Sequence, residues 1–335
     1  MPGKDKKINR ELITLSKRAH KMTKEGKYND AEEKYELALK MDRNNVYILV
    51  GFGDLKRKTK CFNDAVSYYK QCLEVEKNNR FALAGLGDAY RGLGELDKAL
   101  EIWLYYLSLN PYDYKIMTRV ADGFRKNGNF EKSKKYYFLA LDKNKDDPYA
   151  LMGLGDIYEK EGNDEEALKY FKRLITVSDD SIIAHTSVAN IYRKKRQYEK
   201  AKDCYEKVLG IEPHNSHAWH GKADCYRGMK DYKSAIDAWK MTLKYGMDPR
   251  IVLTRIGDAY LSMGDLKSAE MNYNNALSLG YDKYAYLGMT RIYVRRNYPD
   301  KASEILSMLV EKEPDDPRIA YELKGFVEKR NRLNL

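Results

Sequence analysis

The chain has 335 residues, of which 33% are charged and 43% hydrophobic, and a formal net charge of +11. Its uncharged apolar runs fall far short of the roughly 20 residues a membrane helix needs, and its basic start, MPGKDKKINREL, has no apolar stretch behind it as a secretory signal would. Four cysteines (Cys61, Cys72, Cys204 and Cys225) without CxxC spacing argue against a disulfide framework and point to a reduced, cytoplasmic setting.

The charge sits at the ends. Residues 1–24 carry +6 and residues 318–335 carry +3, which leaves +2 for everything between. No long basic stripe runs through the middle, so nucleic acid is a disfavoured partner. Residues 1–11 are expected as a basic N-terminal arm whose composition permits disorder.

From Leu12 the chain repeats. GLGDAY at 85–90 returns as GLGDIY at 153–158 and RIGDAY at 255–260, at offsets of 68 and 102 residues, both multiples of 34. Nine repeats follow: 12–45, 46–79, 80–113, 114–147, 148–181, 182–215, 216–249, 250–282 and 283–316. Position 20 is small in all nine, from Ala31 to Ala302, and position 8 is Ala or Gly in eight. Position 24 carries a large ring in eight repeats, for example Tyr69, Trp103 and Phe171, and position 11 is aromatic in seven. Small residues make room for large ones where two helices meet. Apolar spacing of three and four predicts one helix over positions 1–13 and a second over 16–28. Between them Gly26, Gly94, Gly128, Gly162 and Gly264 stand at position 15, where the chain leaves the first helix.

This pattern resembles the tetratricopeptide repeat family over residues 12–316. The resemblance implies an all-α, right-handed α-solenoid of about nine helix–turn–helix units. Residues 317–335 supply a capping helix and tail, with Ile319, Ala320, Leu323, Phe326 and Val327 on one apolar face. The glycines of GLGDAYRGLG imitate a nucleotide loop, but Gly85 and Gly87 fall inside a helix rather than ahead of one.

By the same resemblance, positions 2, 5, 9, 12 and 13 of each first helix line a concave groove that takes extended peptides. Position 9 reads Asp54, Asp88, Asp122, Asp156, Asn190 and Asp224 in repeats two to seven, and position 12 supplies Arg57, Arg91, Arg125, Arg193 and Arg227. Asp and Arg three apart share a helical face and pair, for roughly 0.2–0.5 kcal/mol when exposed. Two readings stay open: a self-neutralising ladder that keeps stacked helices soluble, or pairs that a partner peptide displaces. Tyr47, Phe81 and Tyr149 at position 2 are candidate apolar anchors.

Lys115 and Arg119 fit one part of the family's carboxylate clamp for chaperone tails. Val50, Asp54 and Gly85 depart from the rest, so chaperone-tail binding is not expected. His217, His220 and Asp224 share a face and are candidate metal ligands, against a bland reading as polar groove residues. The run RKKRQ at 193–197 falls at a turn, where exposed basic residues are ordinary. No nucleophile–base pair or paired carboxylates stand out, so no catalytic residue and no cofactor are expected. The function expected is a non-catalytic scaffold or adaptor that binds a peptide or extended protein segment and supports assembly of a complex. The alternatives are a nucleic-acid-associated solenoid using its basic ends and a metal site at the histidines. Solenoid ends also leave self-association open.

Overall fold

The structure is a computed structural model that describes residues 2–333, with side chains described over 11–328. Among the described residues there are nineteen helices and no strand, and the chain is an all-α helical repeat solenoid. It divides into two compact units, residues 1–173 and 174–335.

The N-terminal unit pairs α1 (Pro2–Lys24) with α2 (Tyr28–Met41), α3 (Val46–Lys58) with α4 (Phe62–Val75), and α5 (Arg80–Gly92) with α6 (Leu96–Leu109). It continues with α7 (Tyr114–Lys126) on α8 (Phe130–Lys143), then α9 (Pro148–Lys160) and the start of α10 (Asp164–Val177). In the C-terminal unit α11 (Ile182–Lys194) pairs with α12 (Tyr198–Ile211), and α13 (Ser216–Gly228) with α14 (Tyr232–Lys244). There α15 (Pro249–Met263) pairs with α16 (Leu266–Ser278) and α17 (Lys283–Arg295) with α18 (Pro299–Lys312), before a last helix α19 (Pro317–Leu333). First helices also touch their counterparts in the next repeat, as α3 on α5, α7 on α9 and α15 on α17. That stacking sets successive first helices side by side within each unit.

The helices start where local chemistry starts them. Asn45, Asn79, Asp113, Asp147, Ser181, Asn215 and Asp282 each precede a first helix and accept a hydrogen bond from a backbone N–H of its opening turn. Each such cap contributes about 1 kcal/mol. The second helices begin at position 17 rather than 16, with position 16 as the N-cap; its side chain closes the cap at Asn129, Asp231 and Asp265, which accept from N–H groups of α8, α14 and α16. The first helix begins at Pro2, so the basic segment 1–11, expected as an arm, is helical from residue 2 onward. Met1 and the last two residues of the tail lie outside the described residues.

Position 15 is left-handed in every repeat. Gly26, Gly94, Gly128, Gly162 and Gly264 have φ between 74° and 84°, and Lys60, Arg196, Lys230 and Asn297 hold the same turn at φ of 57° to 65°. The core lies between helices: Tyr35, Tyr69, Trp103, Tyr137, Phe171, Tyr205, Trp239 and Tyr273 at position 24 are all essentially buried. A Cβ on Gly87 would overlap the Trp103 indole, which is why position 8 is small. The same rings also reach the following repeat: a Cβ on Gly85 would overlap Tyr69, and one on Gly153 would overlap Tyr137. The capping helix α19 buries Ile319 and Phe326 against Leu287, Leu306 and Leu309, with Leu323 partly buried beside them. Ala320 and Val327, expected on that apolar face, are exposed instead. Pro317 stands 34 residues after Lys283, so α19 occupies the place of a tenth first helix.

Candidate functional site

Tyr69 rises from α4 into the face of α3, and its hydroxyl donates to Asp54 Oδ1 at 2.7 Å. Arg57, one turn further along α3, donates from Nε to the Tyr69 hydroxyl oxygen at 3.4 Å and from Nη2 to Asp54 at 3.3 Å. Its remaining nitrogen, Nη1, faces Asp88 Oδ2 of the next repeat at 3.5 Å. One guanidinium thus ties two carboxylates and a phenol across two repeats.

The set recurs two repeats on. Tyr137 donates to Asp122 at 2.5 Å, and Arg125 reaches the Tyr137 hydroxyl at 3.3 Å, Asp122 at 3.3 Å and Asp156 at 3.0 Å. In the C-terminal unit Tyr205 donates to Asn190 at 2.7 Å, and Arg193 reaches Tyr205 at 3.3 Å and Asp224 at 3.1 Å. An amide serves as well as a carboxylate here, because the phenol needs only an acceptor. In the eighth repeat Tyr273 donates to Asp258 at 2.8 Å, but Leu261 stands where the arginine would be.

These phenols stay protonated. Burial pushes the Tyr205 hydroxyl up to about 12, and burial next to a carboxylate pushes Tyr69, Tyr137 and Tyr273 further. Burial also raises the carboxyls of Asp156 and Asp258, against the pull of Arg125 on the first and of the Tyr273 hydroxyl and Arg291 on the second.

Asp88 and Asp224 belong to repeats whose position 24 is tryptophan, so no hydroxyl reaches them. They are also the most buried members of the row, at 6% and 7% exposure. Arginines take the hydroxyl's place. Arg57, Arg91 and Arg119 lie at 3.5, 3.6 and 3.2 Å from Asp88. Arg193 and Arg227 both lie 3.1 Å from Asp224. The ladder is therefore real within each unit, but it is partly buried and cross-linked through phenols rather than a row of loose surface pairs.

Beside it, position 2 is open. Tyr47, Phe81 and Tyr149 are 80%, 59% and 63% exposed. Ile13, Ile183, Ile251 and Tyr284 at the same position are exposed as well. A cleft of about 530 Å³ in the N-terminal unit is lined by Tyr47, Phe81, Val50, Lys17, His20 and Asp54, among others.

The candidate metal ligands do not converge. His217 is exposed on the surface, and His220 Nε2 is 3.8 Å from an Asp224 whose two oxygens already face Arg193 and Arg227. Burial lowers the His220 pKa, assisted by Arg255, Arg193 and Arg227 and opposed by Asp224. Among the described residues no group of three His, Cys, Asp or Glu side chains could hold an ion. The RKKRQ run is split: Arg193 is in the network with Tyr205 and Asp224, while Arg196 is the left-handed turn residue.

Sequence reasoning missed the tyrosine hydroxyls, the glycine at position 6 and its exchange for arginine at Arg119 and Arg255. One signal was available. Position 6 of a repeat is Gly51, Gly85, Gly153, Gly221 or Gly288 wherever the preceding position 24 is tyrosine, and Arg119 or Arg255 where it is tryptophan.

Family models described as tetratricopeptide repeat match residues 120–181, 182–215 and 260–324. No curated protein sequence matches the chain. Among solved structures, a tetratricopeptide repeat protein from Parabacteroides merdae aligns with a TM-score of 0.54 at 18% identity, covering 75% of this chain and 99% of that one. The C-terminal part of a TPR repeat-containing protein from Cytophaga hutchinsonii aligns at 0.54 and 16%, covering 82% and 99%. PilF from Pseudomonas aeruginosa aligns at 0.51 and 15%, covering 64% and 97%. At these identities the likeness is one of fold. Repeats of this kind indicate a protein–protein interaction scaffold in general, and proteins built from them are generally not catalytic. Three matching repeat models, a 34-residue period and stacked helix pairs make one conclusion: the chain belongs to the tetratricopeptide repeat family.

Proposed function

We propose that this protein is a non-catalytic scaffold or adaptor that receives an extended segment of a partner protein along its first helices and so supports assembly of a complex. The observation that carries this reading is the line of exposed rings at position 2. Tyr47, Phe81 and Tyr149 project from α3, α5 and α9 at 59% exposure or more. Folding derives no packing energy from a tyrosine that is four-fifths in water, whereas a bound chain would bury it for about 1.5–3 kcal/mol per ring. The adjacent Asp–Arg–Tyr network supports the same reading by holding the helix backbones, and so the rings, in register.

The test is partner capture from an extract by the full chain and by the Tyr47→Ala/Phe81→Ala/Tyr149→Ala variant. The rings are exposed, so the variant keeps its melting temperature and loses the specific partner set. Retention of every partner by a folded variant would move the interaction site to another face.

A further inference from the structure

The arginine clusters recur as a set. Arg57, Asp88, Arg91 and Arg119 are each followed 136 residues later by Arg193, Asp224, Arg227 and Arg255, four periods on. The N-terminal cluster is the fuller one. Three guanidiniums from three successive first helices converge on one carboxylate that is almost completely buried. Asp88 balances one of them. Arg57 is further engaged by Asp54 and Tyr69; among the described residues Arg91 and Arg119 form ion pairs with Asp88 alone, and Arg91 also lies over the Trp103 ring. Their side chains are 40% and 32% exposed, so the uncompensated charge faces the solvent side of the groove. Asp88 Oδ1 is buried without a hydrogen-bond partner, and its nearest guanidinium contact there is Arg91 at 3.6 Å. The carboxylate is thus held close to the arginines without saturating them. A guanidinium presents five N–H donors in a planar fork, and a carboxylate matches two of them at once.

Trp103 is what makes room for this. Where the preceding ring is tyrosine, position 6 must be glycine to clear it, as Gly85 clears Tyr69. After Trp103 the place is taken by Arg119. The substitution converts a steric seat into a cationic one.

An apolar anchor lies on the same helix. Phe81 is seven residues before Asp88 on α5, 59% exposed, with Tyr47 of α3 beside it in the 530 Å³ cleft. Seven helical residues span about 10 Å at roughly 1.5 Å each. An extended peptide covers that distance in about three residues at roughly 3.4 Å each.

We infer that the groove of the N-terminal unit selects an acidic extended segment of a partner protein, with an aromatic or aliphatic side chain seated at Tyr47 and Phe81 and an aspartate or glutamate about three residues away bound by Arg91 and Arg119. This rests on the groove reading above and names its ligand chemistry.

A display library of random dodecapeptides, panned on the full chain, tests this. Enrichment of Asp or Glu about three residues from an aromatic or aliphatic residue is expected. For a recovered peptide, Glu→Gln in the ligand and Arg91→Gln/Arg119→Gln in the protein should each weaken binding about tenfold or more, and together no further. Asp88 loses two of its three guanidiniums in this variant, so its melt is expected at a lower temperature, and a melt that stays cooperative above the assay temperature shows that it is folded. Phe81→Ala separates the two readings. Loss of binding on Phe81→Ala with no effect of either glutamine change keeps the groove and overturns the acidic subsite. Recovery of no peptide, or of peptides indifferent to Phe81 and to both arginines, overturns both. Displacement of the peptide by poly-uridylate at equal phosphate and carboxylate concentration would also overturn it, by showing a general polyanion surface instead.

Discussion

Lys230 adopts φ of 65°, a conformation that places its Cβ against its own backbone and costs an L-residue about 1–2 kcal/mol. Five other repeats put glycine in that turn, where an added side chain would meet nothing within 4 Å. Nothing but the chain path therefore holds Lys230 there. Lys230→Gly is expected to stabilise the protein by about 1 kcal/mol, offset in part by the greater unfolded freedom of glycine, and to show as a higher denaturant midpoint. A lower midpoint would mean that the lysine makes a stabilising contact outweighing the strain. Asp258 gives a second single-residue case. Burial raises its carboxyl pKa, so the folded chain binds that proton more tightly than the unfolded chain does. Its contribution to stability is then greatest below the unfolded value and falls as pH rises through the folded one. Asn190 already shows that an amide oxygen satisfies the tyrosine at this position. Asp258→Asn is expected to be more stable than the parent at pH 7, with the advantage shrinking to nothing as pH falls below the ordinary aspartate range. A pH series of denaturation midpoints checks it; an advantage that grows in acid would reverse the sign assigned here.

At the scale of the helix pair, the 34-residue period, the small residues at 8 and 20 and the rings at 24 were all legible, because each is a local steric rule repeated often enough to be seen. The charged rows were legible too, as were the exposed rings at position 2. What they bond to was not. Tyr69 and Asp54 are fifteen residues apart and meet only because the hairpin folds α4 onto α3. A buried ring at position 24 reads as core, and nothing in its spacing says that its hydroxyl emerges beside a carboxylate of the first helix. Position 6 was obscure for a similar reason, since its glycine answers to a ring in the preceding repeat. This pairing predicts a specific failure. Gly153→Ala adds a single methyl group on a helix, which by propensity alone favours folding. The methyl would overlap the buried ring of Tyr137, which cannot swing away without breaking its bonds to Asp122 and Arg125. A net loss of about 1–3 kcal/mol is expected in urea unfolding, and a gain would show that the two repeats separate easily.

Among the described residues the buried side chains form a series of local clusters, and each draws on adjacent helices. Stability in such a chain is a sum of neighbour terms, so damage should stay near its source. The last cluster allows the cleanest test. Ile319 and Phe326 of α19 cover Leu287 of α17 and Leu306 and Leu309 of α18. Emptying both positions with Ile319→Ala/Phe326→Ala uncovers those leucines and removes about 3–5 kcal/mol or more of packing from the final pair. Amide hydrogen exchange in α17 and α18 is expected to accelerate by a hundredfold or more, since about 1.4 kcal/mol of local opening energy is a factor of ten. The amides of α3 to α6 belong to clusters around Phe52 and Trp103 that share no side chain with α19, and they should exchange as in the parent. If protection fell equally from α3 to α18, folding would be a single cooperative event and the neighbour-sum picture would be wrong. If it fell only at the end, the protein can loosen its last repeats while the arginine cluster around Asp88 stays formed.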